Sequence, residues 1–228
     1  MQKPKESLEQ KIGYLKTIDI FQDLSKQEML QMEKSVTMST CKSGKVFFRP
    51  DDMAQVLFIL KKGRVQFYKI SPEGKKLIVS TIGPETVFGE MSILGQDLHN
   101  IFAEALDDCL LCVMSRHDVE RLILNNPRVG LRLMQLLSGR LLESEARLEE
   151  LAFKSITGRL AALLLRLFKD QGDVIKGYTH QDLADMIGTY RETATQTLNE
   201  FKTAGLIEIG RKRINILDEA GLQEIMSL

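Results

Sequence analysis

No apolar run in the 228-residue chain approaches the roughly 20 residues a membrane-spanning helix needs. Net charge is missing too, with 31 basic residues against 31 acidic ones. The stretch from Lys154 to Leu228 balances again, at 10 Lys and Arg against 10 Asp and Glu. Bulk charge therefore carries no nucleic-acid signal, and any case for such a partner must rest on where individual charges sit. The three cysteines, Cys41, Cys109 and Cys112, are odd in number and argue against a disulfide framework. Histidine is confined to His99, His117 and His180. There is no Walker loop, GxSxG or HExxH motif, and no nucleophile and base stand at a telling spacing, so the chain does not read as an enzyme. The N-terminus, Met1-Gln-Lys-Pro-Lys-Glu, lacks the apolar core of a signal peptide, which gives the expectation of a cytoplasmic address.

What is present falls into three textures. Residues 5–34 read as short helices, with Ser25 and Glu28 spaced as a capping box at the start of a helix over Lys26–Ser35. From Val36 to Val113 apolar residues come in short runs: Val46–Phe48, Val56–Leu60, Val65–Tyr68, Leu77–Val79, Val87-Phe88 and Ala103–Val113. Breakers such as Gly44, Pro50, Gly63, Gly83-Pro84 and the Ser71-Pro72-Glu73-Gly74 turn separate them, the pattern of a compact antiparallel sandwich or roll. Cys41 falls in a loop on this reading. Cys109 and Cys112 sit three apart in a strand, on opposite faces, as small buried apolar residues. From Asp118 to Phe153 the period becomes helical, with Gly130, Met134, Leu137, Leu141, Ser144, Leu148 and Leu151 alternating in steps of four and three. That is the a/d seam of a coiled coil, and it predicts a second copy of the chain across Met134, Leu137, Leu141, Ser144, Leu148 and Leu151. Beyond it come an amphipathic helix over 156–169, two short helices over 179–187 and 190–203, and a two-stranded wing, Ile207–Ile209 and Arg213–Leu217, turned at Gly210-Arg211-Lys212.

The two short helices have the spacing of a helix-turn-helix. Thr179 can cap the first, with Asp182 in its first turn. Ala184 is small enough for a close crossing, and Gly188 stands where the chain must turn sharply. If Ala194, Thr197, Leu198 and Phe201 face inward, Arg191, Glu192, Thr195 and Gln196 are left on the outer face. Arg suits guanine O6 and N7, Glu suits cytosine N4 and Gln suits adenine. Thr179, Tyr190, Lys212 and Arg213 complete the candidate DNA-contacting set, the wing cations facing phosphate.

Three motifs carry a resemblance to a known family: Gly188-x-x-Arg191-Glu192-Thr193 followed by Ala204-Gly205-Leu206-Ile207, Leu151-Ala152-Phe153 with Gly158-Arg159-Leu160-Ala161, and Phe88-Gly89-Glu90-Met91-Ser92-Ile93-Leu94. In this order the chain resembles the CRP/FNR transcription regulators over nearly its whole length. The resemblance implies an α+β chain: a sensor domain over 1–117, a double-stranded β-helix (jelly-roll) of the cyclic-nucleotide-binding type; a dimerisation helix over 118–153; and a winged helix-turn-helix over 154–228. It implies double-stranded DNA carrying an inverted repeat, a second copy of the chain and RNA polymerase as partners, with no membrane. The effector pocket would draw on Gly89, Glu90, Met91, Ser92, His99, Asn100 and Ser144.

In cyclic-nucleotide binders of this family the Gly-Glu pair is followed by Arg-Ser or Arg-Thr, whose guanidinium anchors the phosphate. Here those positions read His99-Asn100, and a near-neutral imidazole is a poorer anchor, which speaks against cyclic AMP. Three thiols cannot fill the four-cysteine site of an iron–sulfur sensor. Haem, with His99 or Cys41 as ligand, and an unidentified small molecule stay open. The alternatives are a cyclic-nucleotide-responsive regulator and a regulatory module that binds no DNA.

Overall fold

The computed structural model describes residues 8–49, 55–93, 101–172 and 174–226. Two compact units emerge, Met1–Lys69 with Val79–Leu141, and Ile70–Ile78 with Leu142–Leu228. Among the described residues no helix is long and apolar enough to cross a membrane.

The first unit opens with α1 (Leu8–Leu15), a single 3-10 turn (Asp19–Phe21) and α2 (Lys26–Glu33). The capping box at Ser25 and Glu28 forms as expected, each side chain bonding the other residue's backbone N–H. Among the described residues eight strands follow: β1 (Thr37–Cys41), β2 (Val46–Phe48), β3 (Val56–Lys62), β4 (Val65–Ile70), β5 (Lys76–Ile82), β6 (Thr86–Phe88), β7 (Phe102–Ala105) and β8 (Cys109–Ser115). They form two four-stranded sheets, ordered β1-β8-β3-β6 and β2-β7-β4-β5. The strand alternation explains the apolar runs. Along β3, Phe58 and Leu60 enter a core shared by both sheets, while Leu57 and Ile59 face the helices on the other side. Cys109 and Leu111 of β8 go to the inter-sheet core, and Cys112 and Met114 to the helical one. The two cysteines thus occupy opposite faces, as their spacing required.

Three expectations need correction. Cys41 is the last residue of β1, opposite Cys109, and not part of a loop. The run Ala103–Val113 is two strands, parted at Leu106-Asp107-Asp108. The segment 118–153 is two helices, α4 (Arg116–Asn125) and α5 (Pro127–Phe153). Pro127 disfavours helical backbone at the residue before it, and Asn126 sits at φ −137°, ψ 88°, ending one helix as Pro127 starts the next. Between β6 and β7 lies α3 (Glu90–Ile93).

α5 runs on from the first unit into the second. Large apolar side chains stand exposed along it at heptad spacing, with Met134 at 59%, Leu141 at 60% and Leu148 at 68%. Leu151 is also exposed and Leu137 partly so, while Ser144 interrupts the row as an exposed polar residue.

In the second unit α6 (Ile156–Gln171), α7 (His180–Ile187), α8 (Arg191–Thr203) and α9 (Glu219–Met226) surround a core of Leu160, Leu164, Leu183, Leu198, Phe201 and Leu222. The wing, β10 (Ile207–Gly210) and β11 (Arg213–Ile216), gains a third strand, β9 (Ile175–Lys176), in the order β10-β11-β9. At the α5–α6 junction Arg159 Nη1 donates to the carbonyls of Leu151 (3.2 Å) and Lys154 (3.3 Å), which would otherwise lack partners at a helix end.

Candidate nucleic-acid interface

Thr179 is the N-cap of α7. Its hydroxyl accepts from the Asp182 N–H, and its own N–H donates to Asp182 Oδ2 at 2.7 Å, a reciprocal capping box. Gly188 ends α7 in the left-handed region, φ +67°, which a side chain would resist. The chain turns through buried Thr189 and re-enters a helix after Tyr190, the N-cap of α8. Ala194, Thr197, Leu198 and Phe201 are buried. Arg191, Glu192 and Gln196 are exposed and Thr195 is partly so, the division expected from the helical period.

The outer face of α8 alone lines a shallow, open hollow of about 910 Å³, with Arg191, Glu192, Thr195, Gln196 and Asn199 along it. A second hollow, about 480 Å³, brings Thr179, Arg191, Lys212 and Arg213 together with His180 and Gln181. The structure therefore gathers the base-reading and phosphate-facing candidates at one end of the domain. The Gln196 amide donates to Glu200 Oε1 (3.0 Å). Arg213 Nε donates to Asn215 Oδ1 (3.1 Å), while Arg211 and Lys212 are exposed. Lys212 occupies the wing's tip at φ +51°, a strained setting for a side chain. Tyr190 is exposed, with Lys75 Nζ 4.5 Å from its ring centroid; the same ammonium donates to Gly188 O at 2.8 Å. Lys75 belongs to the 70–78 segment of this unit.

Sequence reasoning overlooked three residues. Asn199 lies two turns beyond Arg191 on one helix face, so helical arithmetic would have found it. Gln181 follows the cap by two positions. His180 Nδ1 lies 3.0 Å from Thr195 Oγ1, tying α7 to α8, and sequence spacing does not reveal that pairing.

Behind this face Asp185 is buried, and burial raises its pKa against the opposing hydrogen bond from Gln181 Nε2 (2.7 Å) and the charge of Lys76. A carboxyl whose folded pKa is raised subtracts stability as pH climbs past its unfolded value. Asp185→Asn keeps an acceptor for Gln181. It should raise the melting temperature at neutral pH, with the gain fading to nothing near about pH 3. A gain that survives at that acidity would refute burial of charge as its source.

Of the expected effector residues, Gly89 sits at φ +88° before α3, and a Cβ there would meet Val56 O at 2.6 Å. Glycine is thus required twice over, by backbone angle and by close packing. Glu90 is 5% exposed. One oxygen pairs with Arg140 Nη1, Arg140 Nη2 donates to Val87 O (2.5 Å), and Glu90 Oε2 has no hydrogen-bond partner among the described residues. Arg140 is the pairing residue the sequence reading missed, because tertiary packing alone brings it to Glu90. Met91 is exposed. Ser144 lies on α5 in the other unit. The Ser92 side chain, His99 and Asn100 lie outside the described residues.

A β-roll joined to a winged helix-turn-helix with an exposed recognition helix defines a DNA-binding regulator. Comparison with known proteins bears this out. Residues 39–126 match the cyclic nucleotide-binding domain, and residues 158–225 match the Crp-like helix-turn-helix domain. The chain is 31% identical over 182 residues to the cyclic AMP receptor protein of Thermus thermophilus, covering 80% of this chain and 84% of that one. It is 29% identical over 193 residues to the global nitrogen regulator of Synechococcus elongatus, covering 81% and 87%. A crystal structure of a putative CRP/FNR-family transcriptional regulator from Eubacterium rectale superposes with a TM-score of 0.80 at 21% identity, covering 93% and 99%, and so shares the fold. The chain belongs to the CRP/FNR family of transcription regulators. Its relatives are regulators, not enzymes, and this chain is a DNA-binding regulator of that type.

Proposed function

We propose that the protein acts as a homodimer reading the two halves of an inverted repeat, and that a small molecule other than cyclic AMP controls it through the β-roll. The observation that carries the dimer is the row Met134, Leu141 and Leu148, exposed at heptad spacing on a 27-residue helix. Apolar side chains in such a row are an unstable surface until a matching helix covers them. A two-fold pair of α5 helices would present two α8 helices to successive major grooves. Arg191, Glu192, Thr195 and Gln196 would read bases, with Thr179, Tyr190, Lys212 and Arg213 on the backbone. RNA polymerase, as the family implies, would be the downstream partner, and the cytoplasm the working place.

By the family resemblance the effector would meet Gly89, Glu90, Met91 and Ser92, with His99 and Asn100 following in the sequence. Buried Glu90 Oε2 supports a ligand that brings a hydroxyl or N–H donor to that atom. His99-Asn100 in place of an arginine argues against a cyclic phosphate. At Cys41 the charged residues Lys42, Lys45, Lys62 and Asp108 line the groove, which speaks against a porphyrin face there. Effector binding would bias the packing of paired α5 helices through Leu137, Leu141, Ser144 and Leu148, a coupling on the order of 1–3 kcal/mol.

Selection of bound sequences from a random DNA pool by the full chain tests the reading. Enrichment of an inverted repeat, half-sites about 10 base pairs apart or a multiple of that, is expected. A lone unrepeated half-site, or no enrichment, would overturn it. Titration calorimetry with cyclic AMP should show no binding heat; saturable micromolar binding would reinstate the cyclic nucleotide.

A further inference from the structure

Cys41 and Cys109, far apart in the chain, end the β1–β8 ladder as direct cross-strand partners. Opposed residues of an antiparallel pair project to the same face of the sheet. Their Cα atoms stand about 4.5 or 5.5 Å apart, depending on the type of pair. Both values lie inside the roughly 4.4–6.8 Å that a disulfide spans. The thiols are also within hydrogen-bonding reach of each other.

The surroundings leave the pair reachable and held. Cys41 is half-buried and Cys109 buried. Both line a groove of about 740 Å³ with Lys42, Lys45 and Lys62. The Lys42–Lys45 strap is tied to the β7–β8 turn by Lys42 Nζ to Asp108 Oδ2 (2.6 Å), Ser43 N to Asp108 Oδ1 (3.1 Å) and Ser43 Oγ to Leu106 O (2.8 Å). On the far side Gly63 leaves room for the Cys109 sulfur, since a Cβ there would approach Sγ to 2.6 Å.

We propose that Cys41 and Cys109 form a dithiol site that takes a low-molecular-weight disulfide as oxidant and closes to a cross-strand disulfide. Cys41, the more accessible, loses its proton to solvent and attacks one sulfur of the small disulfide. The S–S bond of the reagent breaks, one half leaves as a thiol and the other stays on Cys41. Cys109 then loses its proton, attacks Cys41 Sγ and expels the second half as thiol. Two protein thiols become one disulfide and one small disulfide becomes two thiols, so electrons and protons balance. Lysines around the groove favour a reagent carrying carboxylates, such as oxidised glutathione. Burial pushes both thiols up, Cys109 to about 11. The pair is therefore protonated at neutral pH and reacts faster as pH rises. Cys112 takes no part, because it faces the other core.

The test is to incubate the native full chain with excess oxidised glutathione at mildly alkaline pH, quench in acid, alkylate and map the peptides by mass spectrometry. Wild type should lose two hydrogens and yield a peptide pair joining Cys41 to Cys109, with Cys112 alkylated. Cys109→Ala should stop at one glutathione on Cys41, and Cys112→Ala should cross-link like wild type. Recovery of Cys41 and Cys109 as free thiols in wild type, or a lasting glutathione adduct on wild-type Cys41, would overturn the proposal. The wild-type map decides this even if a variant fails to fold.

Discussion

Replacing Leu141 and Leu148 together by glutamate is expected to yield a folded monomer whose affinity for the selected inverted repeat is at least about a hundredfold lower than wild type's, roughly 2.7 kcal/mol. Both side chains are exposed in the single chain, at 60% and 68%, so neither is needed for its internal packing. In a two-fold dimer each change appears twice. Each leucine withdrawn from an interface forfeits about 1.5–3 kcal/mol of burial, and opposed carboxylates add repulsion. The dimer constant should therefore suffer even more than the DNA affinity. Sedimentation equilibrium measures the first and fluorescence anisotropy the second, with circular dichroism confirming the fold. A variant that sediments as a dimer would remove α5 from the interface, whatever its DNA affinity.

The second large effect concerns Arg191 and Lys212, which should fail in different ways. Arg191→Ala is expected to weaken the selected sequence by 1–3 kcal/mol, about 5- to 150-fold, and to relax preference at one base position per half-site. Random DNA should be bound nearly as before. Lys212→Ala should weaken selected and random DNA alike and lower the slope of log affinity against log salt by about one per bound subunit. The distinction follows from placement: Arg191 opens the exposed face of α8, whereas Lys212 stands at the tip of the wing. Equal losses on both DNAs for Arg191→Ala would make it a phosphate contact. Gln196 is a weaker candidate reader, because Glu200 already holds its amide.

Local chemistry made much of this legible in advance. Ser25 with Glu28 and Thr179 with Asp182 signalled helix starts through side-chain caps that act within one turn. Gly188 marked the turn because few residues tolerate its backbone angle. What stayed hidden depended on pairing between distant segments or on weak local signals. β1 is polar in sequence, Thr-Met-Ser-Thr-Cys, and becomes a strand because β8 supplies its partners. β9 is two residues long and exists through β11. α9 follows the wing with no apolar period long enough to stand out, and packs on α6 through Leu222 and Ile225. The break at Asn126 was legible from Pro127 but was overridden by the seam that follows it. Arg140 and Glu90 meet across separate helices through tertiary packing, and Cys41 meets Cys109 through strand register, neither of which local sequence reveals.

The wing's tip has a consequence for how this protein can be improved. At φ +51°, Lys212 holds a conformation that glycine would adopt freely, so the turn carries about 1 kcal/mol or more of local strain. A glycine there would relieve it and remove the cation. On the proposed phosphate contact, the fold keeps a less comfortable turn in order to carry an outward charge, and a search for heat-resistant variants would be drawn to this position first. Screens that reward thermal resistance alone would select regulators that survive heat better and hold DNA less well, a trade set by a single backbone angle.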